Sequence, residues 1–212
     1  MDPEFWHQRW KNNQIGFHEP QANPSLVDNI NALALVKNQR IFLPLCGKTL
    51  DIGWLLSQGY RVAGAELSAL AIEQLFDELG VEPRVTKVGQ LQHYQAEGLD
   101  IFGGDLFALT KETLGAVDAV YDRAALVALP EPMRVRYAQH LMAITAKAPQ
   151  LLITFVYDQT VMPGPPFAVS DAEVTSHYAA DYTLQQLQSK EVAGGLKGKC
   201  PAEEHVWLLQ CK

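Results

Sequence analysis

Gly47-Lys48-Thr49, Glu66, Asp105 and Arg123 are the residues whose types and spacing could do chemistry, because each follows a short apolar run. Gly47-Lys48-Thr49 closes "IFLPLCGKT" and repeats the last three letters of the triphosphate-binding loop G-x-x-x-x-G-K-[ST]. The first glycine of that pattern would fall on Phe42, and Pro44 removes one N–H from a cradle made of N–H groups. The dinucleotide pattern G-x-G-x-x-G is missing too, since Gly47 is the only glycine around the turn. One tight turn with one glycine suits a ligand that lacks a pyrophosphate.

Glu66 ends "VAGAE", nineteen residues after Gly47, where nucleotide-binding α/β folds put an acid that receives a ribose diol. The competing reading is a solvated glutamate at a strand end, with Ser68 capping the next helix. A ribose acceptor without a pyrophosphate cradle points to S-adenosylmethionine. Asp105, in "GGDLF", could accept from an adenine amino group while Leu106 packs on the ring; it could equally be a turn aspartate beside two glycines. Arg123, in "DRAAL", could pair with a carboxylate such as that of a methionyl tail, or locally with Asp122.

The elements that must position these residues alternate in type. Seven apolar runs read as strands: "RIFLPL", "YRVAGAEL", "GLDIFGGDLF", "AVDAVYDR", "QLLITFVYD", "YTLQQLQSKEV" and "EHVWLLQC". Helices fall between most of them, and "SALAIEQLFDELG" is signed at both ends by Ser68 and Gly80. This predicts a Rossmann-like, doubly wound, mostly parallel α/β sheet with helices on both faces, the last two strands pairing antiparallel. In such a sheet a ligand lies at the carboxyl ends of the strands, where all four candidates fall. Residues 1–39, with helix starts at Asp2-Pro3 and Asn23-Pro24, predict a helical cover on a single domain whose core is 40–212. Residues 84–96 are polar and read as an excursion, and "MPGPPF" at 162–167 reads as a stiff loop.

A length of 212 residues with 48% hydrophobic and 19% charged residues is ordinary for a globular chain that buries a core without staples. The net charge of −7 argues against a nucleic-acid partner, whose affinity would come from Lys and Arg. Cys46, Cys200 and Cys211 form no pair motif, and the six histidines show no ligand spacing, so neither a disulfide framework nor a metal site is expected. The start "MDPEFWHQRW" is no secretory signal and no run is long enough for a bilayer, so a cytoplasmic, monomeric protein with no membrane partner is the expectation.

The pieces "FWHQRWKNNQIGFHE", "PLCGKTLD", "GAELS", "GDLF", "YDRAAL" and "PGPPF" occur in family order and resemble the thiopurine S-methyltransferases, bacterial members above all. The resemblance implies a class I S-adenosylmethionine-dependent methyltransferase with seven strands, the last inserted antiparallel. It implies cofactor contacts at Trp10, the Leu45 backbone, Glu66 and Arg123, with Asp105 and Leu106 on the adenine side. Phe17 matches a position facing the substrate, and Pro165 and Phe167 match a segment near the pocket mouth. The family often has glycine where this chain has Ala124, which is tolerable if the backbone there is helical and otherwise narrows the pocket. The implied substrate is a small thiol, and bacterial relatives are also associated with selenium and tellurium compounds. The rivals are a methyltransferase for another soft nucleophile, such as a halide or thiocyanate, and an ATP-hydrolysing module. No catalytic base is assigned, because aryl and heteroaryl thiols ionise more readily than an alkyl thiol with a pKa of ~8.5.

Overall fold

The computed structural model describes residues 3–212, so Asp2 lies outside the described residues and the first helix is α1, Pro3–Lys11. Its lone buried residue is Trp10; Trp6, on the same face one turn earlier, is half-buried. α2, Pro24–Asn29, is capped by Asn23, whose side chain accepts from the backbone N–H groups of Ser25 and Leu26. Ser25 Oγ donates to Glu204 Oε1 at 2.6 Å and receives Lys190 Nζ at 2.6 Å, which ties α2 to the far end of the sheet.

The strands are β1 Arg40–Pro44, β2 Arg61–Glu66, β3 Arg84–Val88, β4 Leu91–Ala96, β5 Leu99–Gly103, β6 Ala119–Asp122, β7 Gln150–Tyr157, β8 Tyr182–Glu191 and β9 Ala202–Cys211. They form one sheet in the order β3-β4-β5-β2-β1-β6-β7-β9-β8. The expected seven strands are the run from β5 to β8, and the expected antiparallel pairing of the last two holds. The count is corrected to nine. Residues 84–96 are no loose excursion but the hairpin β3–β4, which pairs antiparallel on the edge of β5. β4 and β9 therefore both run against the rest. The hairpin is polar because it is an edge: β3 holds only exposed and half-buried residues and shows no apolar run to read.

Alternate residues of the central strands feed two cores, one on each face. Ile41 and Leu43 join Tyr121, Leu151 and Ile153 on one side; Phe42, Val120 and Leu152 pack on the other. The first core is covered by α2, α3 (Asp51–Ser57) and α4 (Ala69–Leu79), through Leu26, Leu55, Ile72 and Phe76. The second is covered by α5 (Lys111–Leu114), α6 (Glu131–Ile144) and α7 (Asp171–Tyr178), through Leu114, Leu141, Val174 and Tyr178. Burying side chains of this size stabilises by about 1.5–3 kcal/mol each. Chain order reverses at β1, which has β2 on one side and β6 on the other. A crevice opens at such a switch point, beyond the carboxyl ends of the strands.

Candidate active site

The first turn, after β1, is built from two left-handed residues, Leu45 with φ 48° and Gly47 with φ 54°. A Cβ on Gly47 would come within 3.0 Å of Trp10 Cζ2, so the position needs glycine for its φ and for the approach of the indole. Leu45 carries the same conformation with a side chain, a strain characteristic of ligand sites. The phosphate reading fails here. Lys48 Nζ is held by Glu78 of α4 at 2.7 Å, and Pro44 offers no N–H.

Glu66 is only 6% exposed, and each carboxylate oxygen accepts one backbone N–H: Oε2 from Gly47 at 2.8 Å and Oε1 from Ser68 at 2.8 Å. Burial pushes this carboxyl up from its ordinary value, and the amide bonds pull it back. A carboxylate offers about four acceptor sites, so capacity remains for the two adjacent hydroxyls of a ribose. Cys46 beside it is buried, and burial pushes its thiol well up, so it is a small apolar turn residue and no nucleophile.

Asp105 follows β5 and is exposed; its Oδ1 accepts from Phe107 N at 2.9 Å, capping the 3-10 turn Leu106–Ala108. Leu106 is buried, its carbonyl held by His140 Nε2 at 2.9 Å, and Arg136 lies 3.9 Å over the Phe107 ring. α6 thus fixes this wall.

After β6, Arg123 does not pair with Asp122. Its Nη2 meets Glu19 Oε1 at 2.5 Å, while buried Asp122 accepts from Tyr137 Oη at 2.6 Å and Leu126 N at 3.0 Å. Burial pushes Asp122 up to about 6 against those hydrogen bonds. Ala124 is not in right-handed helical backbone: its φ is 60°. The condition under which an alanine there costs nothing is therefore not met, because the left-handed region brings Cβ against the carbonyl. Beneath Arg123, Tyr121 Oη donates to buried Asp51 Oδ2 at 3.2 Å.

The N-terminal segment closes the other side. Phe17 meets Trp10 and Trp6 edge-on, with centroids 5.6 and 5.9 Å apart. Trp6, Trp10, Phe17, Leu45, Glu66, Asp105, Leu106, Arg123 and Pro165 all line one cavity of about 930 Å³. Phe167 does not line it. Its ring packs against Gly164 and under Arg134, whose guanidinium grips Glu173 of α7 at 2.5 and 3.0 Å. Phe167 is thus a support of the loop whose residues 163–166 line the cavity. Arg9, Lys197 and Lys199 stand along the cavity with no ion pair to a carboxylate among the described residues, and Lys197 donates to Pro165 O at 2.5 Å. Burial, then Arg9 and Lys199, push the Lys197 ammonium below its usual range.

Sequence reasoning missed Glu19, Asp51 and the three cations as cavity residues. Glu19 stands in the quoted stretch "GFHE" but its partner Arg123 is 104 residues away, so no local spacing marks the pair. Among the described residues no group of His, Cys, Asp and Glu could hold a metal ion.

The model of the family described as Thiopurine S-methyltransferase matches residues 1–211. A thiopurine S-methyltransferase of Xanthobacter autotrophicus is 58% identical over 211 residues, 99% of both chains. One from Teredinibacter turnerae is 51% identical over 209 residues, covering 99% of this chain and 97% of that one. Two solved structures share the fold at low identity. A TehB-like SAM-dependent methyltransferase from Corynebacterium glutamicum gives a TM-score of 0.60 at 15% identity, covering 99% of this chain and 98% of that one. A 1,6-didemethyltoxoflavin-N1-methyltransferase from Burkholderia thailandensis, solved with S-adenosylhomocysteine bound, gives 0.66 at 14% identity, covering 98% and 87%.

Proposed function

This chain belongs to the thiopurine S-methyltransferase family, and on that premise we propose that it methylates the sulfur of small aromatic and heterocyclic thiols, thiopurines among them. It is a methyltransferase that uses S-adenosylmethionine. The observation that carries the acceptor class is the composition of the cavity. Beyond Glu66 and the Gly47 turn it is walled by the aromatic faces of Trp6 and Phe17 and edged by Arg9, Lys197 and Lys199. A flat, apolar, anionic acceptor matches those walls.

The residues fit a nucleoside with an amino-acid tail. Glu66 keeps acceptor capacity beyond its backbone bonds, and the Gly47 turn leaves no room for a Cβ. In this reading Glu66 receives the ribose, Asp105 and Leu106 border the adenine, and Arg123, the Leu45 backbone and Trp10 hold the rest of the cofactor. Phe17 faces the acceptor.

Bound S-adenosylmethionine supplies a methyl group that its sulfonium already makes electrophilic. What the chain contributes is alignment, exclusion of water and charge. Rigid aromatic walls hold an acceptor sulfur within the ~3–3.5 Å that displacement needs. An aromatic face near a sulfonium is worth about 0.5–2 kcal/mol. Arg9, Lys197 and Lys199 favour the thiolate over the thiol, which lowers the acceptor's pKa without a proton acceptor. Small selenolates, softer nucleophiles of the same charge, fit the same walls.

Initial rates with an aryl thiol and a heterocyclic thiol, measured against iodide and thiocyanate in competition, test the reading. Turnover of the thiols, rising with pH until the thiol is ionised, is expected. Preference for iodide or thiocyanate would transfer the assignment to the halide-type rival. The ATP-hydrolysing alternative predicts a large loss on Lys48→Ala, whereas a lysine already held by Glu78 predicts little change.

A further inference from the structure

Arg123 is placed to take a carboxylate, yet its Nη2 already meets one, Glu19 Oε1 at 2.5 Å. The pair does not close on itself. The Glu19 side chain is 37% exposed and the Arg123 side chain 14%, and both line the cavity. Glu19 is also aimed. Asn23 Nδ2 donates to its Oε2 at 3.1 Å, and Asn23 is fixed in turn by capping α2 and by donating its backbone N–H to Asp51 Oδ1 at 2.7 Å. Asp51 is tied to Tyr121, next to Arg123. A chain of hydrogen bonds thus holds Glu19 in place, and the ion pair sets Arg123 beside it, one negative and one positive. Guanidinium N–H groups and carboxylate lone pairs remain for a ligand.

We propose that Glu19 and Arg123 together form a receptor for a zwitterionic α-amino acid group, Glu19 receiving the ammonium of the cofactor's methionyl tail while Arg123 receives its carboxylate. The assignment rests on the cofactor site proposed above. Two opposite charges in the receptor match two opposite charges in the tail, and each ligand charge meets a partner of the other sign. Glu19 then does more than add a contact. A tail with a carboxylate and no ammonium would bring two carboxylates together, so Glu19 selects an amino acid against a plain acid. It also couples the N-terminal segment to ligand, because Glu19 follows Phe17 by two residues and leads into α2.

Calorimetric titration of wild type and Glu19→Gln with three probes tests this: S-adenosylhomocysteine, its analogue lacking the α-amino group, and 5′-methylthioadenosine, which lacks the whole amino acid. Glutamine keeps an oxygen for Asn23 and removes the charge. The expected result is at least tenfold weaker S-adenosylhomocysteine binding, with methylthioadenosine affinity within twofold of wild type. The deamino analogue should bind the variant as well as, or better than, wild type. Equal losses for S-adenosylhomocysteine and methylthioadenosine would reduce Glu19 to a structural strut and overturn the proposal. Unchanged affinity for S-adenosylhomocysteine would overturn it as well. Wild type binding neither S-adenosylhomocysteine nor methylthioadenosine would instead bring down the cofactor site itself, a failure distinct from the other two.

Discussion

Ala124 holds a φ of 60° in the turn that follows β6, and that one dihedral sets up a test. A left-handed residue with a Cβ is strained by about 1–2 kcal/mol. Replacing it by glycine removes the strain but frees the unfolded chain, at a cost of about 0.4–1 kcal/mol. Strain relief wins, so Ala124→Gly is expected to raise unfolding stability by roughly 0.5–1 kcal/mol in denaturant titration. Lower stability would mean that the Ala124 methyl packs favourably. Asp122, two residues earlier, gives a pH signature. Its carboxyl moves from 3.8 up to about 6 on folding, so between those values the native state binds more protons than the unfolded chain. Native stability must then fall as pH rises from about 4 to 6, and the loss persists above, on the order of 2–3 kcal/mol. Asp122→Asn lacks this titration. The stability of the variant relative to wild type should be most favourable at pH 7–8 and decline toward pH 4; a constant difference would contradict the account. Glu66, Asp105 and Arg123 were legible because each ends a strand or follows one within two residues, in a fold whose ligands gather there. Glu19 and Asp51 were not, since their partners are brought up by the fold alone.

At the scale of elements, the loop 162–167 is tied by Phe167 N–H donating to Val127 O at 2.6 Å and by Tyr157 Oη donating to Pro166 O at 2.6 Å. Arg134, which lies over the Phe167 ring, is held by α7. Arg134 of α6 is nearly buried and grips Glu173 of α7 with two nitrogens; it also donates to Leu129 O and lies 5.9 Å from the Phe167 ring centroid. Removing the partner of a buried cation strands that charge, at about 3–5 kcal/mol. Glu173→Ala is therefore expected to cost several times more in thermal or denaturant unfolding than Asp181→Ala. That residue pairs with Lys147 at the surface, where such pairs are worth about 0–1 kcal/mol. Equal losses would show that Arg134 finds another partner. α7 was not read from the sequence because its face is largely polar, though Ser170 with Glu173 three residues on is a capping signal, and Ser170 Oγ does accept from Glu173 N at 3.2 Å. The β3–β4 hairpin escaped for a related reason: an edge hairpin carries no continuous apolar run. The apolar strands of the sheet's centre announced themselves because both of their faces are buried.

For the whole molecule, charge and shape separate what composition blends. The chain carries a net charge of −7, yet its cavity is lined by Arg9, Lys197 and Lys199 without ion-paired carboxylates among the described residues. The net figure argues against a nucleic-acid surface and says nothing of a local positive edge, because the residues that form it lie at positions 9, 197 and 199. No helix among the described residues is long and apolar enough to cross a membrane. The family pieces meet at one cavity, and the two helical layers and the sheet order show why: β1, β2, β5 and β6 deliver Leu45, Glu66, Asp105 and Arg123 to one end of one sheet. The claim at the centre is that this end binds a nucleoside through Glu66. Calorimetric titration of wild type and Glu66→Ala with S-adenosylhomocysteine, with ATP and magnesium as the comparison ligand, tests it most directly. The account predicts binding of S-adenosylhomocysteine by wild type, its loss in the variant, and no heat from ATP. Heat from ATP with none from S-adenosylhomocysteine, or equal binding by both proteins, would contradict it.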